Sequence, residues 1–301
     1  MQSELKGLGV PLAIPFHRHG TIDFTSLEKL IENVIHAGVD YIAILNNFSE
    51  SNTLSEDEKA AILDFTIEVV AQRIPLIAGV SGNNTQVLID TLKKNNLQDL
   101  QAIIPFCPYI TRVKQKGIFY HYKEIAAVSP VPIFIYNTFL KGSSIITAET
   151  VLNLAHSFRN IEGYIEDYPS LTNIFSIIDR KPENFTVIMG DDIHLIPAMA
   201  MGVDNMMPVM ANAYPSIIRD VYQLCVAQHY ENARDQFKSL IPIIEIMHRD
   251  DKISTIKAIL DIQGICSNNL RLPLIKLKKS LLYELQTLLK EAELMKENVL
   301  S

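Results

Sequence analysis

The chain has 301 residues, 48% of them hydrophobic, with 27 Lys+Arg against 34 Asp+Glu for a formal charge of −7. That is a globular composition, long enough for one large or two small domains. The acidic balance argues against a nucleic-acid binder, which needs a basic face, and against an anionic membrane surface as partner.

The N-terminus, Met1-Gln2-Ser3-Glu4-Leu5-Lys6, lacks the basic start and apolar run of a signal peptide. No stretch of about 18 apolar residues predicts a membrane span. Cys107, Cys225 and Cys266 are odd in number and widely spaced, without a CxxC pair. They predict reduced thiols in a cytoplasmic protein rather than a disulfide framework.

Along the chain, short apolar runs alternate with amphipathic segments. The runs cover residues 10–16, 41–45, 75–80, 102–106, 132–136, 161–165, 186–189 and 206–209. Uncharged runs of this length read as strands buried on both faces of a parallel sheet. Between them, Leu27, Leu30, Ile31, Val34 and Ile35 fall at one-face helical spacing, as do Ile62, Phe65, Thr66 and Val69. Ser55-Glu56-Asp57-Glu58 has the form of a capping box.

Eight strand–helix units most simply close into a (β/α)8 barrel. A doubly wound open sheet would carry a glycine-rich loop after its first strand, and Phe16-His17-Arg18-His19-Gly20 is not one. Residues 1–214 are expected to form the barrel core. Residues 215–301 read as helix throughout: the last barrel helix and C-terminal helices packed on the barrel, within one structural domain. Leu281, Leu282, Leu285, Leu288 and Leu289 supply an apolar stripe there.

Several segments, in order, carry a resemblance. Ala13-Ile14-Pro15-Phe16 looks like an opening strand that favours Thr-Pro-Phe. Glu50-Ser51-Asn52-Thr53-Leu54-Ser55 looks like the end of Gly-Thr-Thr-Gly-Glu-Ser-x-Thr-Leu-Ser. Tyr136-Asn137 matches Tyr-Asn-x-Pro, and Met189-Gly190-Asp191-Asp192 matches Gly-Asp-Asp. Gly202, Val209, Ala211 and Asn212 match the eighth-strand pattern, and Arg271-Leu272-Pro273-Leu274 a C-terminal one. Together these segments resemble the dihydrodipicolinate synthase/N-acetylneuraminate lyase family, from about Gly9 to Leu294. The resemblance implies a (β/α)8 barrel, lyase chemistry on pyruvate with an aldehyde partner, and homotetramers built as dimers of dimers.

The departures cluster at the implied site. Ile161-Glu162-Gly163-Tyr164-Ile165-Glu166-Asp167 matches the sixth strand, and Ile165 stands where the family has its Schiff-base lysine. An isoleucine has no nucleophilic atom. Asn47-Phe48 replaces the Thr-Thr pair that holds the 2-oxo acid carboxylate, with Asn46 and Ser49 in place of flanking glycines. Phe106-Cys107 replaces a tyrosine pair, with Tyr109 a candidate to substitute in space. Lys141 replaces an arginine, which loses the bidentate fork for a carboxylate. Asn205 and Pro208 flank Met207 in strand 8 where the family has glycine and serine. Tyr136, at the tyrosine acid/base position, is retained.

The candidate catalytic positions are therefore Tyr136 and the substituted Ile165, and the candidate ligand-binding residues are Asn47, Phe48, Lys141 and Met207. Plainer roles compete with these: Tyr136 as a packed ring with a bonded hydroxyl, and Lys141 as a solvated loop lysine. Glu50, Glu166, Asp167, Asp191 and Asp192, with His17, His19 and His194, lie on one predicted face. They show no metal signature, and Asp191-Asp192 reads better as a helix N-cap. No metal or cofactor is expected. The expected function is a diverged relative without Schiff-base lyase activity, taking a small 2-oxo acid or sugar acid if any ligand. The alternatives are a lyase that recruits Lys141, or lysine-independent or metal-assisted chemistry. A homotetramer or homodimer is expected, partly because residues 106–109 would otherwise be an exposed aromatic segment.

Overall fold

The computed structural model describes residues 5–94, 97–109, 113–138, 144–167 and 170–291. Eight parallel strands close into a barrel in sequence order: β1 (Gly7–Pro11), β2 (Tyr41–Ile44), β3 (Leu76–Val80), β4 (Ala102–Pro105), β5 (Ile133–Thr138), β6 (Ile161–Asp167), β7 (Thr186–Met189) and β8 (Asn205–Met206). The helices between them are α1 (Phe24–His36), α2 (Glu56–Val70), α3 (Thr85–Lys94), α4 (Gln115–Ala126), α5 (Ala148–Ser157), α6 (Leu171–Ile178) and α7 (Leu195–Ala200). After β8 come α8 (Pro215–Val226), α9 (Tyr230–Phe237), α10 (Ile241–Arg249), α11 (Lys252–Ile262) and α12 (Lys279–Glu291).

The apolar runs become strands because both faces are covered. Side chains alternate between an inner cluster and the outer layer under the helices. Tyr41, Ala43, Ile77, Ala102, Ile104, Phe134, Tyr136, Ile165 and Ile188 fill the inside. Ile42, Ile44, Ile103, Ile133, Ile135 and Tyr164 join the outer core. The same parity decides the site: Tyr136 and Ile165 point inward as register partners, and Thr138 and Asp167 are the next pair up. Gly163 is required by this packing, since a Cβ there would lie 2.1 Å from the Phe134 ring.

Two strand boundaries differ from expectation. β1 lies at Gly7–Pro11 rather than 10–16, with Phe16 only bridging Ile22. β8 is two residues long and passes into a 3-10 turn at Val209–Asn212. Asn205 anchors this short strand by accepting from the Gly7 amide at 2.7 Å. The C-terminal region is not helical throughout either. Residues 263–278 between α11 and α12 run as turns and irregular chain, where Asn268, Asn269 and Pro273 favour neither helix nor strand. The leucine stripe does pack: Leu281, Leu285 and Leu289 are buried.

A buried ion pair fastens this C-terminal region to the top of the barrel. Lys257 of α11 and Glu50 after β2 are both fully buried and bonded to each other. Glu50 also accepts from the Arg271 amide at 3.0 Å, and Lys257 donates to the Asn269 carbonyl at 2.9 Å. Arg271 forks onto Glu58 at 2.5 and 2.7 Å. Both cations lie over the Phe16 ring, 4.2 and 4.7 Å from its centroid. These contacts bring the N-terminal end of α11 to the barrel mouth.

Candidate active site

The mouth lies at the C-terminal ends of the strands, where barrels of this kind place their chemistry. Among the described residues, buried apolar side chains line it from within. Ile165 is fully buried, and its inner neighbours include Phe106, Tyr136, Ile188 and Met207. Phe48 is only 7% exposed. The loop carrying it is shaped by Asn46, whose Oδ1 accepts from the Phe48 amide at 2.8 Å while its Nδ2 donates to the Ala43 carbonyl at 2.7 Å. Gly79 lets this loop in: a Cβ there would stand 2.2 Å from the Leu45 carbonyl oxygen.

Tyr136 is held from two sides. Its hydroxyl donates to Asp167 Oδ2 at 3.0 Å and accepts from Asn47 Nδ2 at 3.4 Å. Asn47 Nδ2 also donates to Thr138 Oγ1 at 2.9 Å. Burial raises the Tyr136 pKa well above the phenol value, and the nearby Asp167 charge raises it further. The proton therefore stays on the tyrosine and points at a carboxylate.

Above this pair sits Lys252, the first residue of α11. Its Nζ lies 3.1 Å from Asp191 Oδ1, 3.5 Å from Asp167 Oδ1 and 3.6 Å from Asp192 Oδ2. It also stands 5.8 Å from the Phe48 ring centroid. Burial disfavours its charge, but the three carboxylates outweigh that and raise its pKa well above the usual lysine value. Burial pushes Asp192 up to about 6, with Lys252 and the Met210 amide partly offsetting it. Asp167 is likewise raised by burial against Lys252. Burial also acts on Asp191, yet Lys252 and His194 together hold it below the usual carboxylate value. The cluster thus carries three acids around one ammonium.

Tyr136, Ile165, Asn47, Phe48 and Met207 come together at the mouth. Lys141 lies outside the described residues. Glu166 does not join: parity turns it outward, fully buried, where it accepts from Tyr164, Asn137 and Asn173 at 2.6 to 3.1 Å. Nor is Asp191-Asp192 a side-chain cap for the following turn. Asp192 instead accepts from the Met210 amide at 2.9 Å, tying β7 to the segment after β8. Among the described residues no three His, Cys, Asp or Glu side chains gather to hold a metal. Phe106 and Cys107 are buried within the chain, so the exposed aromatic segment expected there is not present. Tyr109 remains half-buried and donates to Asn52 at 3.2 Å. Reasoning from sequence missed Lys252 and Thr138. Thr138 is legible by parity, two residues beyond Tyr136; Lys252 has no local signal.

The model of the dihydrodipicolinate synthetase family matches residues 4–292. The chain belongs to this family. A 4-hydroxy-tetrahydrodipicolinate synthase of Parabacteroides distasonis is 35% identical over 271 residues, covering 90% of this chain and 91% of the relative. One of Phocaeicola vulgatus is 32% identical over 98% and 99%. The crystal structure of dihydrodipicolinate synthase from Aquifex aeolicus has a TM-score of 0.91 at 27% identity, covering 98% of this chain and all of that one. A dihydrodipicolinate synthase variant described as the first monomeric one has the same TM-score at 26% identity, over 97% and 98%.

Proposed function

We propose that this family member does not run Schiff-base lyase chemistry on 2-oxo acids and keeps the barrel for a non-lyase, ligand-binding or assembly role. The observation that carries the reading is Ile165, fully buried across from Tyr136 with no amine at that position. An imine needs a neutral amine with a free lone pair. Lys252 is the lysine that the described residues bring to the mouth, and three carboxylates keep it protonated. Carboxylate capture is also disfavoured, because Asn47 is spent on Tyr136 and Thr138 and the mouth carries surplus negative charge. A cytoplasmic location goes with this reading, supported by three free, buried cysteines.

The rival reading is a lyase that uses another lysine. Lys252 favours it by location, as Lys141 does by sequence. Incubation with pyruvate and borohydride, followed by intact mass, separates the two. The expected result is no covalent adduct. A stoichiometric adduct, mapped to Lys252, Lys141 or any other lysine, would overturn the proposal in favour of the rival.

A further inference from the structure

We propose that the loop from Leu45 to Glu50 is a strained flap at the barrel mouth, which swings about its two ends to let a small ligand reach the inner cluster. It rests on the reading above only for the ligand; the motion is tested without one, so either can fail alone. The backbone marks the two ends. Among the described residues, Leu45 (φ 55°), Glu50 (52°), Ala71 (48°), Gln72 (58°) and Gln228 (61°) lie in the left-handed region without being glycine. Ala71 is the cap of α2, Gln72 follows it, and Gln228 follows the cap of α8, places where helices commonly end this way.

Leu45 and Glu50 follow no α-helix. They stand on either side of the short segment that carries the 3-10 turn Asn47–Ser49, between β2 and α2. A side chain makes this conformation costly, and it persists only where surrounding contacts fix the backbone. Two further costs fall in the same stretch. Asn47 Oδ1 and Ser51 Oγ are buried with no hydrogen-bond partner among the described residues, and a buried unpaired polar atom gains by reaching water. Returning Leu45 and Glu50 to the ordinary region re-aims the four residues between them, which is how hinged loops move.

A few contacts hold the flap in place. Asn46 Oδ1 accepts from the Phe48 amide at 2.8 Å, and its Nδ2 donates to the Ala43 carbonyl at 2.7 Å. Ser49 Oγ donates to the Leu12 carbonyl at 2.7 Å, and Asn47 Nδ2 to Thr138 Oγ1 at 2.9 Å. Glu50, at the far end, is fixed by Lys257 and by the Arg271 amide at 3.0 Å. It therefore serves as a pivot, and Asn46–Ser49 is the part that moves. Phe48 travels with that part. Its ring centroid stands 5.8 Å from Lys252 Nζ, so the swing takes a buried aromatic ring away from the mouth.

Met207→Cys places a thiol in the inner cluster, where Met207 is buried. Iodoacetamide labels it, and mass mapping counts it apart from Cys225, which is buried on α8. Asn46→Ala in this background removes two of the contacts that hold the flap. It should speed labelling of the new thiol roughly tenfold or more and leave Cys225 unchanged. In the unaltered protein, the amides of Phe48, Ser49 and Glu50 are bonded within the loop. They should exchange hydrogen through a local opening that hardly depends on urea, while the amides of β2 and β3 exchange with global unfolding. Thermal melting checks that both variants fold. Labelling unchanged by Asn46→Ala, labelling of both thiols raised together, or loop amides that exchange only with the strands would overturn the proposal.

Discussion

Replacing Lys252 with methionine removes the ammonium that Asp167, Asp191 and Asp192 share. At separations of 3.1 to 3.6 Å each pair is strongly attractive even at an effective dielectric constant of about 20. Desolvation opposes that attraction, so the net loss follows the pattern of buried pairs that lose one partner, about 3–5 kcal/mol. The lysine side chain is 20% exposed, which places the expected loss near the lower figure. For a chain of this length, with about 2 cal/mol/K of unfolding entropy per residue, ~3 kcal/mol lowers Tm by roughly 5 °C. The defect depends on pH with a definite sign. Asp167 and Asp192 are raised in the folded state, Asp192 from 3.8 to about 6. Their ionisation therefore costs stability as pH rises from the unfolded value through the folded one, and without Lys252 that cost grows. Asp191, held low by Lys252 and His194, loses its own stabilising contribution as pH falls. The first effect makes the difference between wild type and Lys252→Met largest above about pH 7 and smaller at about pH 4.5, where Asp167 and Asp192 are largely protonated and only the Asp191 contribution remains. Thermal and urea denaturation at about pH 7.5 and pH 4.5 measure it. A variant as stable as wild type at pH 7.5, or equally destabilised at both, would refute the cluster as a source of stability.

Ile165→Lys should leave the protein without lyase turnover in a coupled assay and destabilise it by several kcal/mol, since the new ammonium enters the apolar inner cluster. Measurable aldol cleavage would show a better-preserved carboxylate site than the Asn47 contacts indicate. Glu50→Gln and Lys257→Met should each cost about 3–5 kcal/mol in denaturant unfolding, while the double variant costs less than their sum. Additive losses would mean the two side chains act independently. Light scattering after size exclusion should give a homodimer or homotetramer, as the family resemblance implies; a single species near 33.9 kDa would count against it.

The barrel was legible because burial on both faces leaves uncharged runs of four to seven residues, and eight of them in order admit few closures. The inward direction of Tyr136 and Ile165 was equally legible, since a two-residue period fixes which side chains share a face. The same parity, applied two residues further, would have placed Thr138 and Asp167 together and turned Glu166 outward. Local patterns could not show the fate of the mouth. Lys252 reaches Asp167 across 85 positions, through a helix whose placement depends on the Lys257–Glu50 pair and the Arg271 fork. Each of those contacts joins residues more than 200 positions apart. That Ile165 stands where the family resemblance implies a lysine is visible in one residue. Its surroundings are visible only in three dimensions, where Tyr136 is bonded to a carboxylate and the nearby Lys252 faces three. Ile165 and its neighbours therefore point the same way: Tyr136 donates to Asp167, Asp167 faces Lys252, and both lie over an apolar inner cluster.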